Sequence, residues 1–266
     1  PGAGTTALFI SLMTLPEGKT IIIQSDWTNS SRGESAGAME ALLRIVARKK
    51  LKFVLMAVGD PSAPQGARGV LERINEERKK QNEPPIKKWE DYVELGYFPN
   101  AEATGNAMAT NLKNAWSGKT DQSPQGMRNI FDSPVLQGIS KIEDVALMIN
   151  ITASDTINRL VERIGKKTKL ASMCTGVMGP ETMVYFTSGQ LVGVSVGLNG
   201  VVELEALMER GIDPYEGIDG KEAEKQSRSL KNPVMVKGAP KIEGLRPPEG
   251  QSAKDYNYAR GMKYYL

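Results

Sequence analysis

Ile21-Ile22-Ile23-Gln24-Ser25-Asp26-Trp27-Thr28-Asn29-Ser30-Ser31-Arg32-Gly33-Glu34 decides the fold of this chain. Three β-branched residues favour an extended backbone on a pleated, buried surface. They run into an acidic residue and a hydroxyl-rich loop. An apolar stripe at helical spacing follows, made of Ala38, Leu42, Ile45 and Val46. A buried strand that ends in Asp and opens into a helix start is how open α/β sheets build a ligand crevice at their carboxyl edge.

Working outward, the alternation repeats. A strand over 20–24 and a helix over 35–49 are followed by Lys52-Phe53-Val54-Leu55-Met56-Ala57-Val58, a run expected of a central parallel strand covered on both faces. Gly59-Asp60-Pro61 ends it, and helical spacing resumes over 65–81. Further strands are predicted over 92–97, 145–151 and 169–174, with helices over 101–116 and up to residue 164. A short entry helix is predicted over 5–12. This pattern predicts a three-layer α/β domain, Rossmann-like or flavodoxin-like, with a mostly parallel sheet of five or six strands. The domain spans residues 1–231, and 232–266 reads as an extended polar tail. Residues 117–140, rich in Gly, Ser, Pro and Gln, read as one long loop of the kind that forms lids or contact surfaces.

Bulk composition removes several functions. The 266 residues carry 34 basic and 31 acidic side chains, a net charge of +3. No basic stripe interleaved with aromatics appears, which argues against a nucleic-acid partner. There is no histidine, so His-based triads, imidazole general bases and His-ligated zinc are excluded. Cys174 is the single cysteine and forms neither an internal disulfide nor a cysteine metal cluster.

Asp26-x-Thr28-x-Ser30 is the sharpest candidate site. A carboxylate and two hydroxyls at alternate positions after a buried strand can converge on Mg²⁺, which takes oxygen ligands and keeps several waters. Von Willebrand A-type domains hold their metal in this way. Thr152 and Asp155 would supply the downstream Thr and Asp of that arrangement, although its Asp-Gly strand end is missing. The alternative is that Asp26 and Ser30 cap the following helix and satisfy the loop amides. An anion site is a further possibility, with Arg32, Asp60 and Asp155 flanking the helix starts at the same edge. For hydrolysis, Asp26, Glu34, Asp60 or Asp155 can supply a carboxylate pair and Ser30 or Cys174 a nucleophile, but nothing supports an enzyme without histidine to activate them.

Ser188-Gly189-Gln190-Leu191-Val192-Gly193-Val194-Ser195-Val196-Gly197-Leu198-Asn199-Gly200 is the most unusual stretch. If it is helical, Gly189, Gly193 and Gly197 form one ridge suited to close backbone approach. The reading is a buried helix packed on the sheet or on a partner, with a GxxxG membrane span over 183–202 as the alternative. At the far end, Tyr256, Tyr258, Tyr264 and Tyr265 mix with Arg260 and Lys263, the composition of a membrane-interface belt.

The Tyr92-Val93-Glu94-Leu95-Gly96-Tyr97 run, and the Ser188–Gly193 run with Glu203 and Glu205 after it, resemble uncharacterised bacterial membrane proteins in which a soluble α/β domain sits between terminal membrane helices. The resemblance implies a tethered domain, membrane-associated through flanking segments, and brings no activity; the expected location of the domain is extracytoplasmic, with the cytoplasm as the alternative. The leading expectation is therefore a non-catalytic, membrane-tethered domain that binds a partner protein or forms a homo-oligomer. The competing expectation is a small-ligand or Mg²⁺-dependent domain, enzymatic or not, with its site at the Asp26–Glu34 loop.

Overall fold

β1 (Thr20–Asp26) is the centre of a six-stranded parallel sheet in a computed structural model that describes residues 1–212 and 242–245. All seven of its residues are buried, as the Ile triplet requires. Helix α1 (Ala3–Met13) precedes it and α2 (Arg32–Arg48) follows. β2 (Lys52–Ala57), α3 (Ala63–Lys80) and β3 (Tyr92–Tyr97) extend the sheet to one side. The chain then crosses back through α4 (Ala101–Thr110), α5 (Leu112–Ala115) and an antiparallel hairpin of β4 (Thr120–Ser123) and β5 (Gly126–Asn129). β6 (Leu147–Thr152) pairs with the other side of β1, Gln24 opposite Asn150 and Asp26 opposite Thr152. α6 (Thr156–Arg163), β7 (Leu170–Cys174), α7 (Gly179–Thr187), β8 (Gly193–Val196) and α8 (Gly197–Arg210) complete the order.

Across the sheet the strands run β3-β2-β1-β6-β7-β8, the order of the doubly wound Rossmann fold. Helices lie on both faces. One core packs α1, α2, α3 and α8 against Ile21, Ile23, Leu147, Ile149 and Ile151. The other packs α4 to α7 and Ile130 against Ile22, Val54, Met148 and Val194. The fold is the three-layer α/β domain expected from the sequence.

Three local expectations are corrected. Residues 117–140 are not a loop throughout: the β4–β5 hairpin occupies their first half. Asp121 accepts the N–H of Glu94 at 2.7 Å and the Lys119 ammonium donates to Leu95 O at 3.0 Å, so this segment covers the outer edge of β3. A covered edge leaves fewer amides free to template aggregation. The helix expected over 101–116 breaks at Asn111, whose side chain caps α5 by accepting from Asn114 N.

The glycine ridge is not helical. Gly189 sits in the turn after α7 with φ +75°, Gly193 begins β8, and Gly197 opens α8 with φ +57°. Gly193 does permit the close approach its composition implied, to a partner within the chain: a Cβ built there would lie inside the backbone of Leu8 in α1. Gly4 is the reciprocal contact, since a Cβ there would come within 2.7 Å of Val194 O. α1 thereby lies along the outer strand of the sheet. Three or four residues of β propensity between two αL glycines behave as a strand; the 3–4 spacing of the glycines had imitated a helix.

Part of the expected tail is packed. Ile242 and Ile212 exchange backbone hydrogen bonds of 2.8 and 2.9 Å, Leu245 N–H donates to Met208 O at 2.7 Å, and Arg48 donates to Leu245 O at 3.0 Å. Among the described residues no helix is long and apolar enough to cross a membrane. The tyrosine-rich segment 256–266 lies outside the described residues.

Candidate functional site

The chain reverses its direction of travel across the sheet between β1 and β6. There the helices that follow go to opposite faces of the sheet, the place where doubly wound folds characteristically bind ligands. Asp26 stands at this point, 5 % exposed. One carboxylate oxygen accepts the N–H of Val58 at 2.7 Å and of Gly59 at 3.1 Å. The other accepts from the Gln24 amide and from Asn150 Nδ2, the latter at 3.1 Å. Four donors from three strand ends therefore converge on one side chain. Burial pushes the Asp26 carboxyl above its ordinary value, and the hydrogen bonds from Val58, Gln24, Gly59 and Asn150 pull against that rise.

This commitment separates the candidate metal ligands. Asp26 faces the β2 turn, whereas Thr28 and Ser30 lie on the outer rim with their hydroxyls 2.7 Å apart. Thr152 is fully buried, its hydroxyl accepting from Ser154 N and Thr156 Oγ1, both at 3.0 Å. Asp155 is out in solvent, 4.0 Å from Arg159. Asp60 is occupied locally: Ser62 donates to it through both N–H and hydroxyl, which holds the carboxyl below its ordinary range. Among the described residues no group of three or more Asp, Glu or Cys side chains is placed to hold a metal. Glu34, in the first turn of α2, accepts the Gly176 N–H at 2.7 Å and bridges to the loop after β7. Cys174 ends β7, and burial pushes its thiol above the ordinary value, away from thiolate reactivity.

Beside Asp26 lies a cavity of about 310 Å³ between the loop after β1 and the first turns of α3. Trp27, Thr28, Asn29 and Arg32 form one wall; Ser62, Gln65, Gly66 and Gly69 form the other. Asp26 builds this space indirectly, because its hydrogen bonds to Val58 and Gly59 set where the β2–α3 turn leaves the sheet. Arg32 is exposed and, among the described residues, pairs with no carboxylate. The remaining polar groups are neutral: two hydroxyls and two amides. None of the lining side chains is a carboxylate, and Arg32 is the one charged group in the lining.

Gly66 and Gly69 stand in an 18-residue helix, where each glycine is about 1 kcal/mol less favourable than alanine. Internal packing explains Gly66, since a Cβ there would come within 2.9 Å of the Trp27 ring. Gly69 has no such reason: its Cβ would meet nothing within 4 Å. Sequence reasoning singled out Thr28, Ser30 and Arg32 but passed over Trp27, Asn29, Ser62, Gln65 and the two glycines. The readable signal was a pair of glycines three apart inside a helical pattern.

A larger cavity lies at the opposite, amino edge, about 800 Å³ between the α1–β1 connection, residues 143–146 and residues 165–170. Lys19, Lys166, Lys167 and Lys169 line it with Glu143 and Asp144. Lys167 pairs with Glu143 at 3.5 Å. The groove also receives the carboxyl ends of α1, α6 and α7, each carrying roughly half a negative charge.

Comparison with known proteins returns no family model, no curated protein and no solved structure that matches this chain.

Proposed function

We propose that this protein is a small-ligand-binding α/β domain whose carboxyl-edge cavity takes an anion. The single observation that carries this reading is Arg32, a guanidinium free of carboxylates among the described residues, in the wall of a cavity otherwise lined by neutral hydrogen-bonding groups. A guanidinium binds carboxylates and phosphates through two parallel hydrogen bonds. The cavity lies at the carboxyl edge, where open α/β sheets bind ligands, on the β2 side of the strand that flanks the reversal of strand order. The fold does not choose the ligand. Isothermal titration with inorganic phosphate, with and without Mg²⁺, tests the reading on wild type and Arg32→Gln. Saturable binding that weakens about tenfold or more in the variant supports it; equal affinity in both proteins removes it. A gain with Mg²⁺ would restore the rim hydroxyls of Thr28 and Ser30 as metal ligands.

A second reading keeps the expectation of self-assembly. Val177 is 88 % exposed and Val184 62 % exposed, seven residues apart along the turn and helix that follow β7. Exposed large apolar side chains of this kind suit contact with a second copy. Sedimentation of wild type against the Val177→Asp, Val184→Asp double variant tests it, and a strictly monomeric wild type sinks it.

A further inference from the structure

The lining of the carboxyl-edge cavity describes its ligand beyond the charge. Next to Arg32 stand the Thr28 and Ser62 hydroxyls and the Asn29 and Gln65 amides, four groups that both donate and accept hydrogen bonds. Such groups match alcohols, which also do both. The one aromatic residue in the wall, Trp27, is only 2 % exposed and its ring is pressed against Gly66, so no open aromatic face is offered to a nucleobase. At about 310 Å³ the space is at the lower end for small-molecule sites and too small for a dinucleotide. Gly69 leaves the α3 side of the cavity without a side chain where nothing in the protein needs that room.

Resting on the anion-site reading above, we propose that the ligand is a small polyhydroxylated anion, a sugar phosphate or sugar acid. Its anionic end lies on Arg32, and its carbon chain runs along α3 across Gly66 and Gly69. Ser62 and Gln65 hydrogen-bond its hydroxyls. Arg32 supplies charge recognition, and Gly69 sets the length of chain that fits. An exposed guanidinium alone would hold inorganic phosphate as well as any ester of it; the neutral wall is what separates them.

The test uses the full chain with five probes: inorganic phosphate, ribose, ribose 5-phosphate, gluconate and adenosine monophosphate. Ribose 5-phosphate or gluconate should bind about tenfold or more tighter than inorganic phosphate, with ribose weaker than both, and the better of the two identifies the anionic end. Gly69→Leu should bring the sugar anion down to the level of phosphate. Gln65→Leu should weaken the sugar anion several-fold in the same direction, and it does not alter the glycine content of α3. Arg32→Gln should weaken phosphate and sugar anion together. Sugar anions no tighter than phosphate overturn the polyol inference and leave the anion site standing. No binding by any probe removes the anion site as well. Adenosine monophosphate tighter than ribose 5-phosphate also overturns the inference, since it requires a base pocket.

Discussion

The two edges of the sheet carry cavities of opposite character. The amino-edge groove is more than twice as large and has four lysines; Lys167 pairs with Glu143, and Asp144 and the carboxyl ends of three helices also border it. The carboxyl-edge cavity is smaller and has one cation, and among the described residues nothing answers it. Size and number of charges therefore point to one edge, and the balance of charges points to the other. Lysines gather at the amino edge because that is where helices between parallel strands end, and cations there offset the helix dipoles. A lone cation at the helix-start edge offsets nothing.

The strongest way to break this comparison is to remove the brace beneath the carboxyl edge. Asp26→Ala leaves two backbone N–H groups and two side-chain amides without their acceptor. Each buried orphan costs on the order of 1–3 kcal/mol when water cannot reach it, and the site can relax, so a loss of about 3–4 kcal/mol in urea unfolding is expected. A loss below about 1 kcal/mol would show that Asp26 is not the brace.

Gly193→Val probes the amino end of β8. The added side chain would enter the Leu8 backbone and drive α1 from the outer strand, a loss of about 2–3 kcal/mol by thermal or chemical denaturation. Ligand binding at the carboxyl edge should persist in the folded fraction. Its disappearance would mean the two edges are coupled.

Charge removal sharpens the contrast directly. Arg32→Gln is expected to weaken phosphate binding about tenfold, near 1.4 kcal/mol, whereas Lys166→Gln with Lys169→Gln should change it less than twofold by titration calorimetry. The reverse pattern would transfer the anion site to the amino edge.

Asp26 also sets a pH dependence. Its folded carboxyl titrates above its unfolded one, so its contribution is most favourable at low pH, below the unfolded value near 3.8, and is lost as pH rises through the folded value. Asp26→Asn should flatten that part of the stability profile, measured by urea midpoints across the acidic range. The smallest expected effect is at Gly69: Gly69→Ala should stabilise the protein by about 1 kcal/mol, because α3 gains helix propensity and the methyl meets nothing. A loss of stability would mean the space is already used by the protein.

Most of the fold was legible along the chain. β3 was expected over its observed residues, and β2 and β7 were each missed by a single residue at one end, because buried parallel strands are short apolar runs bounded by glycine, proline and charge. β8 was not legible, since its four residues carry no periodicity long enough to outvote the spacing of the glycines. The site was half legible. Arg32 and the rim hydroxyls belong to the stretch that announced the crevice, while Ser62, Gln65, Gly66 and Gly69 come much later in the chain and reach it only through the α2–α3 packing.

By itself, the sequence determined that Ile21-Ile22-Ile23 would be a central strand, that helices would cover both faces, and that neither histidine chemistry nor a disulfide within the chain would play a part. These follow from local preference, burial period and composition. Tertiary structure alone decided what Asp26 does. An exposed carboxylate in a strand-end loop is a ligand, and a carboxylate surrounded by four amide donors is a brace. The donors come from Gln24, Val58, Gly59 and Asn150, and only the pairing of β1 with β2 and β6 brings them to one point. With Asp26 turned inward, the charged side chain that this edge leaves open is Arg32, six residues later at the start of α2.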